Sequence, residues 1–459
     1  MRRTRTEALP FTGGQGGRGA GHQQPGVRAR PSGPRPLSPD RDHDRHGTPG
    51  QAVIDGDVAG AVGHTLTRLL DERLDDARAV DALFARDVAE RVARFTLGGG
   101  RRMRSQFLWW GLRACGGGSD AGQNEAALRL AAGLELIQTC ALVHDDVMDG
   151  SPLRRGGAAI HTDLEAQYGT RDARRRGESF GRAAAILVGD LALVWADDTV
   201  AGTALAPDAR QRVGAVWQAM RTEMVAGQYL DLQGQTTGSR SMTTAIRAAA
   251  LKSALYSVER PLALGAALAG ADQRTTRALC SAGRCAGIAF QLRDDLLGVF
   301  GDPGRTGKPS GGDIREGKPT YLVALARARA EAAGDTGALA LLDTAVGDAD
   351  LSDDALDRVR AALVATGARA AVETRIERLV AHSTRHLMGV VLTPPADRRL
   401  PELFRAVAGV PLGTASGTPP EPHEPPEPPE QHEQPQPHEP PDGSAATAPR
   451  RTRPEARNR

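Results

Sequence analysis

The residues most able to do chemistry are the aspartates of the segment LVHDDVMDGSPLRRGG. Asp145, Asp146 and Asp149 form a DDxxD pattern, and residues four apart in a helix lie on the same face. Asp145 and Asp149 therefore point the same way and repel each other unless a hard cation lies between them; their oxygen ligands suit Mg²⁺. Arg154 and Arg155 follow just beyond the predicted helix end, where a diphosphate bound to the metal would lie. The plainer interpretation is an acidic helix end beside an arginine pair on a solvated face.

A second acidic segment, FQLRDDLLGVFGDP, favours a two-sided site over that plainer interpretation. Asp294 and Asp295 follow an apolar helical face, and Lys308 and Lys318 come after them in the stretch TGKPSGGDIREGK. Each half of the domain thus has an aspartate pair followed by cationic side chains. Metal ions could bridge the carboxylates to a diphosphate that lysine and arginine bind directly.

Two shorter stretches could complete such a site, although each also has a plainer interpretation. The stretch GGGRRMRS places Arg101, Arg102 and Arg104 beside flexible glycines, as either an anion site without metal or an ordinary basic loop. The stretch MVAGQYLDLQ places Gln228 and Asp231 one helical turn apart, as either metal-supporting ligands or a solvated pair.

The elements that must position these residues are predicted to be helices. Apolar residues recur at helical spacing across residues 51–410, with short glycine and proline breaks between segments. This pattern predicts an all-α domain, a single large helical bundle of ten or more helices. Residues 1–50, rich in Arg, Gly and Pro, and residues 411–459, rich in Pro, Glu and His, are predicted to be disordered tails. The charged insert at residues 170–182 is predicted to be an exposed loop.

Charge, cysteine content and hydropathy argue against several classes of protein. The 459 residues carry a formal net charge of only +2, which argues against a general nucleic-acid-binding protein. Four cysteines without a Cys-x-x-Cys pair predict neither a disulfide framework nor a structural zinc site, and a reduced cytoplasmic setting fits them. No run of about 18 apolar residues is evident, so no stable membrane insertion is expected.

Together, these motifs and their order along the chain resemble the trans-isoprenyl diphosphate synthases (polyprenyl synthetases), the family that makes farnesyl and geranylgeranyl diphosphates. The resemblance spans roughly residues 55 to 405. It implies the isoprenoid-synthase helical fold, a homodimer, and condensation of isopentenyl diphosphate head-to-tail with an allylic diphosphate. It also implies about three Mg²⁺ ions in each active site. The metal-binding residues that it implies are Asp145, Asp146, Asp149, Gln228, Asp231, Asp294 and Asp295.

The resemblance also implies which residues contact the two substrates. For the allylic diphosphate it implies Arg154, Lys308 and Lys318. For isopentenyl diphosphate the implied residues are Arg101, Arg104, Gln138 and Arg155. The resemblance implies catalytic roles for Lys252, Ser253 and Gln291. Lys252 and Ser253 match a Lys-Thr pair at a helix break near the reacting carbons, and Gln291 precedes the second acidic pair.

The sequence departs from the family pattern at four positions. Gly298 stands where the second acidic motif usually ends in Asp. Asp294, the first residue of that motif, matches the main metal ligand, so activity is expected to survive this loss. In the basic loop Arg101 replaces Lys and Ser105 replaces Pro, which keeps the charge but can shift the geometry. Ser253 replaces Thr and keeps the hydroxyl group.

Product length depends, in the family, on residues one turn before the first acidic motif. Cys140 and Ala141 occupy those positions, where farnesyl-making relatives often have an aromatic residue. Because both are small, the growing chain could pass farther, and geranylgeranyl diphosphate is the expected product. Ile137 and Leu134, on the next turns, are then expected to stop the chain, and one turn of about 5.4 Å is close to one isoprene unit.

Other functions stay open at this stage. The chain could make farnesyl or longer prenyl diphosphates, or it could be a non-catalytic partner subunit, a type that usually lacks acidic residues in one motif. A terpene cyclase is disfavoured because its second metal motif begins with Asn, and this sequence has Asn only at positions 124 and 458.

Overall fold

The computed structural model describes residues 48–171, 179–302 and 310–411. Nearly all of both predicted tails, most of the charged insert, and Lys308 lie outside these described residues. In chain order the α-helices are α1 Gln51–Gly56, α2 Val58–Val80, α3 Ala82–Phe84, α4 Glu90–Leu97, α5 Met103–Ala114, α6 Ala121–Asp149, α7 Ile160–Tyr168, α8 Phe180–Ala201, α9 Pro207–Thr236, α10 Met242–Ala249, α11 Arg260–Ala269, α12 Gln273–Phe300, α13 Gly312–Arg315, α14 Tyr321–Ala333, α15 Thr336–Ala345, α16 Asp353–Ala365, α17 Ala368–Leu387 and α18 Ala396–Val407. Two π-helical segments, π1 Ala85–Ala89 and π2 Ala250–Glu259, interrupt this series.

The helix that carries the first acidic motif begins and ends at residues suited to those positions. The Asp120 side chain accepts a hydrogen bond from the Gln123 backbone N–H at 2.8 Å and caps the start of α6. Gly150 ends the helix with a φ of 65° and a ψ of 22°, the left-handed conformation that glycine adopts without strain. The DDxxD motif is therefore the last turn of a 29-residue helix.

Two apolar clusters form the core and share one helix. The first packs α2, α5, α6, α8 and α11 together and includes Leu66, Phe107 and Leu134. The second lies among α12 and the helices that follow it and includes Leu292 and Ile376. Because α12 contributes to both clusters, it joins them in one helical bundle. The all-α prediction is confirmed.

A small hairpin follows α6 and was not predicted. Strand β1, Leu153–Arg154, pairs antiparallel with β2, Gly157–Ala158. The two residues between them, Arg155 and Gly156, have φ angles of 53° and 78°, as a tight two-residue hairpin turn requires. The hairpin returns the chain beside the acidic end of α6, which places Arg154 against that end.

One helix has the length and composition of a membrane-spanning segment. By length and composition α6 is apolar enough to cross a membrane. However, 72% of its most apolar 18-residue stretch is buried inside the protein, as expected for the central helix of a bundle. Its hydropathy is therefore accounted for by packing against other helices.

Glycines bring two helices into backbone contact with π2. A Cβ built on Gly227 of α9 would lie 2.1 Å from the backbone nitrogen of Lys252 in π2. On the other side, a Cβ on Gly287 of α12 would lie 2.3 Å from the carbonyl oxygen of Ala254. Larger side chains at these positions would push the elements apart. Together, α9 and α12 therefore fix the position of π2, which carries Lys252 and Ser253.

Candidate active site

A cavity of about 1000 Å³ lies between α6, α9, π2 and α12. Its walls include residues from both acidic motifs and from the Gln-x-x-Asp stretch. The predicted site residues that line it are Arg104, Gln138, Cys140, Ala141, Asp145, Arg154, Gln228, Asp231, Lys252, Ser253, Gln291, Asp294, Asp295 and Lys318. The structure thus brings together residues that are up to 214 positions apart in sequence, the separation of Arg104 and Lys318 (318 − 104).

Asp145 lies at the centre of the polar part of this cavity. Its Oδ1 accepts hydrogen bonds from Lys252 Nζ at 3.0 Å and from Gln228 Nε2 at 3.3 Å. The same lysine lies 2.6 Å from Asp231 Oδ2, so one cationic group joins two carboxylates. Burial opposes ionisation of Asp145, but the positive charges of Lys252, Lys318 and Arg154 outweigh it and hold its pKa at about 2.

The other two aspartates of the first motif face different cations. Asp146 is 1% exposed and accepts a hydrogen bond from Arg154 Nε at 2.8 Å. Asp149 Oδ2 lies 2.9 Å from Lys318 Nζ, and the two groups form an ion pair. Burial and repulsion by Asp145 raise the pKa of Asp149 in spite of the lysine.

The second acidic motif faces the same cavity from α12. Asp294 is exposed to the cavity, whereas Asp295 is 7% exposed and accepts a hydrogen bond from Gln291 Nε2 at 2.8 Å. Burial, followed by the negative charges of Asp313 and Asp294, raises the pKa of Asp295 well above its usual range. The surroundings of Asp295 on this wall therefore oppose its ionisation.

A third group of residues forms a polar corner beside π2. Arg104 Nη2 donates to Ser257 Oγ at 2.8 Å, and its guanidinium lies 4.4 Å from the centre of the Tyr256 ring. The Tyr256 hydroxyl donates to Gln138 Oε1 at 2.8 Å. Tyr256 therefore joins two predicted substrate-binding residues, and neither it nor Ser257 was singled out from the sequence.

Three predicted positions differ from expectation. Arg102 turns inward, is 9% exposed and pairs with Glu135 at 3.4 Å, because its left-handed φ of 48° directs the chain into the bundle. Ile137 is fully buried and does not line the cavity, so its limiting role in product length stays a prediction. Arg101 is exposed and also lies outside the cavity lining.

Ser105, which departs from the family pattern, and Arg155, which matches it, both make contacts that the sequence did not predict. The Ser105 hydroxyl donates to Glu135 Oε1 at 2.7 Å and so helps to hold the carboxylate that pairs with Arg102. Arg155 does not line the cavity; its guanidinium lies 4.6 Å from the centre of the Phe95 ring and donates to the Phe95 carbonyl oxygen at 2.9 Å. Arg155 of the hairpin turn therefore packs against Phe95 of α4.

The carboxylates fit a divalent metal, although within residues 48–171, 179–302 and 310–411 they do not form a ready metal cage. Lys252 Nζ lies between Asp145 and Asp231, and Lys318 Nζ lies against Asp149, so each lysine supplies positive charge that these carboxylates require. The donors are all oxygen atoms, which Mg²⁺ prefers, and it commonly takes its remaining ligands from substrate phosphates. The residues present are therefore compatible with such ions.

An all-α bundle in which aspartates of two motifs line one cavity is typical of the helical prenyl-transferring enzymes. Residues 86–359 match the family described as polyprenyl synthetase, more than half of the chain, and the protein belongs to this family. It is a prenyltransferase, and the resemblance drawn from its motifs is confirmed.

The proteins similar in sequence to this chain are all prenyl diphosphate synthases, but their products differ in length. Over 306 residues the chain is 30% identical to geranylfarnesyl diphosphate synthase of Aeropyrum pernix, covering 67% of this chain and 87% of that protein. It is 34% identical to geranylgeranyl diphosphate synthase of Mycobacterium tuberculosis, covering 52% of this chain but only 62% of the relative. Farnesyl diphosphate synthases also match.

A solved structure supports the same conclusion at the level of the fold. The geranylgeranyl pyrophosphate synthase of Corynebacterium glutamicum, determined with isoprenyl diphosphate and magnesium, superposes with a TM-score of 0.71 at 38% identity. The match covers 76% of this chain and 97% of that one. The described bundle is therefore that of an isoprenyl synthase.

Proposed function

We propose that this prenyltransferase condenses isopentenyl diphosphate head-to-tail with an allylic diphosphate, in a Mg²⁺-dependent reaction that gives geranylgeranyl diphosphate. The observation that carries the proposal is the convergence of the aspartates of α6, α9 and α12 on one cavity with cationic side chains between them. Such a site suits a ligand with a strongly anionic head. Small and apolar residues on the same walls, including Cys140, Ala141, Leu193 and Val225, suit a hydrocarbon tail.

The chain's own residues account for most of what the reaction needs. Asp145, Asp149, Asp231 and Asp294 would hold Mg²⁺, with Asp146, Asp295 and Gln228 beside them. When bound, Mg²⁺ would neutralise charge that develops on the departing diphosphate. Arg154 and Lys318 bind and orient the allylic diphosphate from either side, as donors fixed before the reaction begins.

The second substrate is proposed to bind at the polar corner. Arg104 is held by Ser257 and Tyr256, and Gln138 is held by the Tyr256 hydroxyl, so both donors are ordered before isopentenyl diphosphate binds. Arg101 and Arg155 are exposed outside the cavity lining, where an anion could reach them. Lys252 and Ser253 belong to π2, and π-helical turns frequently occur at functional sites.

The proposed product length rests on cavity-lining residues of α6 and α9. Cys140 and Ala141 line it and are too small to close it, which supports a product longer than farnesyl diphosphate. With Ile137 outside the lining, the residue proposed to limit the chain is Arg221, which lies two turns before Gln228 on α9 and lines the cavity. Arg221 is paired with Asp197, whose other oxygen accepts from Trp217 Nε1 at 2.8 Å, so the guanidinium is held in place.

We also propose that two copies of the chain associate and that the enzyme acts in the cytoplasm. Val225 and Tyr229 of α9 are 65% and 67% exposed, although both line the cavity. The neighbouring α8 exposes Ile186, Leu187 and Val194. An apolar surface next to the site is what a second copy would cover. The four described cysteines are unpaired, as in a reducing compartment.

Substitution of Asp145 by Asn tests the proposal. Asp145→Asn keeps the size of the side chain but removes the carboxylate that three cationic groups and the proposed metal share. Removal of an electrostatic group of this kind typically costs about 100- to 1000-fold in kcat. Asp198→Asn, on the surface of α8, is the control and should retain full activity. Turnover would be measured with isopentenyl and farnesyl diphosphates, and near-wild-type turnover of folded Asp145→Asn would contradict the metal assignment.

A further inference from the structure

The first part of α12 and the end of α17 carry a basic surface on the outside of the bundle. Residues 273–293 and 378–396 contain no Asp or Glu, although the chain averages about one acidic residue in eight (56 of 459). The fixed charges within these two stretches are therefore all positive. The exposed residues that we call the basic surface are Arg274, Arg277, Arg378, His382 and Arg385.

Contacts between the two helices bring the two stretches together. Near the start of α12, Arg274 Nη2 donates to the carbonyl oxygen of Gly389, just beyond the end of α17, at 2.7 Å. Burial raises the pKa of the Cys285 thiol on α12, and the positive charge of Arg385 on α17 is among the charges that oppose this rise. Arg385 therefore lies close to α12, and the two sets of arginines share one region of the surface.

The basic residues of α17 point in the same direction. Arg378, His382 and Arg385 recur at intervals of four and three residues, so they share one face of the helix. Partial burial, followed by the positive charges of Arg385, His386 and Arg378, lowers the pKa of His382. The positive charges are thus close enough to repel one another, and an anionic partner would relieve that repulsion.

Two apolar side chains protrude beside these charges, where the chain leaves α17. Met388 is 77% exposed and Val391 is 96% exposed. Leu392, the next residue, is buried in the first core cluster, which anchors the segment and leaves Val391 pointing outward. The carbonyl group that Arg274 binds belongs to Gly389, between the two apolar residues. Positive charge and apolar tips therefore occupy the same surface.

We infer that the basic surface, together with Met388 and Val391, docks on a bilayer that contains anionic phospholipids. Arginine side chains bind headgroup phosphates, and the negative surface potential attracts them. Apolar side chains next to them can enter the boundary between headgroups and acyl chains. Because Met388 and Val391 protrude rather than line a groove, they suit a surface that deforms around them better than a nucleic acid or a rigid acidic protein. Such docking inserts no helix, and it goes beyond the proposed reaction.

The docking surface is separate from the active-site cavity. None of its residues lines the cavity. Along α12, Arg277 precedes Asp294, which does line it, by 17 residues (294 − 277). That separation corresponds to about 25 Å of helix. Substitutions on this surface can therefore be made without touching the groups that bind substrate, and the test does not depend on the proposed reaction.

The test measures binding of the full-length protein to lipid vesicles by co-sedimentation. Vesicles of equal parts phosphatidylcholine and phosphatidylglycerol would be compared with vesicles of phosphatidylcholine alone, which should bind far less. The arginine variant Arg277→Gln/Arg378→Gln/Arg385→Gln should weaken binding to the anionic vesicles by about 100-fold, since each arginine near an anionic surface contributes about fivefold.

A charge-matched control separates this surface from the net charge of the protein. Arg68, Arg247 and Arg358 are exposed on α2, α10 and α16. The control variant Arg68→Gln/Arg247→Gln/Arg358→Gln removes the same number of positive charges. It should stay within about threefold of wild type, because charges farther than about 10 Å from the bilayer are screened.

A second variant tests the apolar contribution. Met388→Ser/Val391→Ser should weaken binding to the anionic vesicles by about tenfold, as expected when two apolar side chains no longer leave water in part. It should leave binding to heparin, a polyanion without a hydrocarbon layer, unchanged. The arginine variant should weaken binding to both.

Each outcome either supports or overturns the inference. Binding to anionic vesicles that falls in the arginine and serine variants but not in the control variant supports it. Wild-type protein that does not bind the anionic vesicles overturns it, as does equal weakening in the control variant. An unchanged vesicle affinity in the serine variant, folded by circular dichroism, would show that the surface recognises a polyanion such as a nucleic acid or an acidic protein, and would overturn the assignment to lipid.

Discussion

Gly227 provides a quantitative test of how packing around π2 positions the site. It lies on α9 next to Gln228, and a Cβ at this position would lie 2.1 Å from the Lys252 nitrogen and 2.6 Å from the Leu251 carbonyl carbon. Ordinary contact begins at 3.4 Å, so Gly227→Ala requires α9 and π2 to separate by 3.4 − 2.1 = 1.3 Å. Both obstructing atoms are backbone atoms, so no side chain can turn aside to make room.

This displacement should lower both stability and turnover. Overpacking a core contact costs about 1–3 kcal/mol in the free energy of unfolding. Displacement of reacting groups by about 1 Å can cost about 100-fold in rate. In this protein the displaced residue is Lys252, whose Nζ joins Asp145 and Asp231. We therefore expect Gly227→Ala to lose about 1–3 kcal/mol in urea denaturation and about 100-fold in kcat.

Gly214→Ala, on the same helix, is the matched control. A Cβ at Gly214 meets no atom within 4 Å, so the substitution adds a methyl group without displacing anything. It should leave kcat unchanged and raise stability by about 0.5–1 kcal/mol, because alanine is favoured over glycine within helices. If Gly227→Ala and Gly214→Ala behaved alike in both assays, the proposed role of close packing at π2 would be refuted.

Two further predictions concern Arg221 and Cys140, which both line the cavity. Arg221→Ala should lengthen the product by one or more five-carbon units. The control Arg212→Ala, outside the cavity lining, should leave product length unchanged. An unaltered product from Arg221→Ala would show that Arg221 does not limit the length of the product. Burial raises the pKa of the Cys140 thiol from 9.0 to about 12. Its contribution to stability is therefore complete below pH 9.0 and is lost as the pH rises toward 12. Iodoacetamide near pH 8 should accordingly modify Cys140 only after denaturation, and mass-spectrometric detection of rapid labelling in the native protein would contradict this.

The first acidic motif shows how much of the site could be predicted from sequence. Helical spacing alone places Asp145 and Asp149 on one face, and Arg154 lies against the motif as the short separation in sequence suggested. The helical fold also followed from apolar periodicity. These features are local, since each depends on residues within a few turns of one another. The catalytic, substrate-binding and metal-binding roles themselves stay predictions.

The features that sequence reasoning missed depend on contacts between distant segments. The inward turn of Arg102 results from a left-handed backbone angle and a partner, Glu135, on another helix. Tyr256 became recognisable only once π2 placed it between Arg104 and Gln138. The missing aspartate at Gly298 was visible in the sequence, but the close approach of Asp313 to that position depends on how the chain folds back onto α12. No periodicity or spacing encodes these approaches.

Product analysis tests the central claim most directly. The purified full-length protein would be incubated with isopentenyl diphosphate and, separately, with dimethylallyl, geranyl and farnesyl diphosphates, with and without Mg²⁺. The dephosphorylated products would be sized by mass spectrometry. We predict a mainly twenty-carbon alcohol that forms only when Mg²⁺ is present. A fifteen-carbon or much longer alcohol would contradict the proposed product length, and no product from any starter in a folded sample that binds diphosphate would contradict catalysis and indicate a non-catalytic partner subunit.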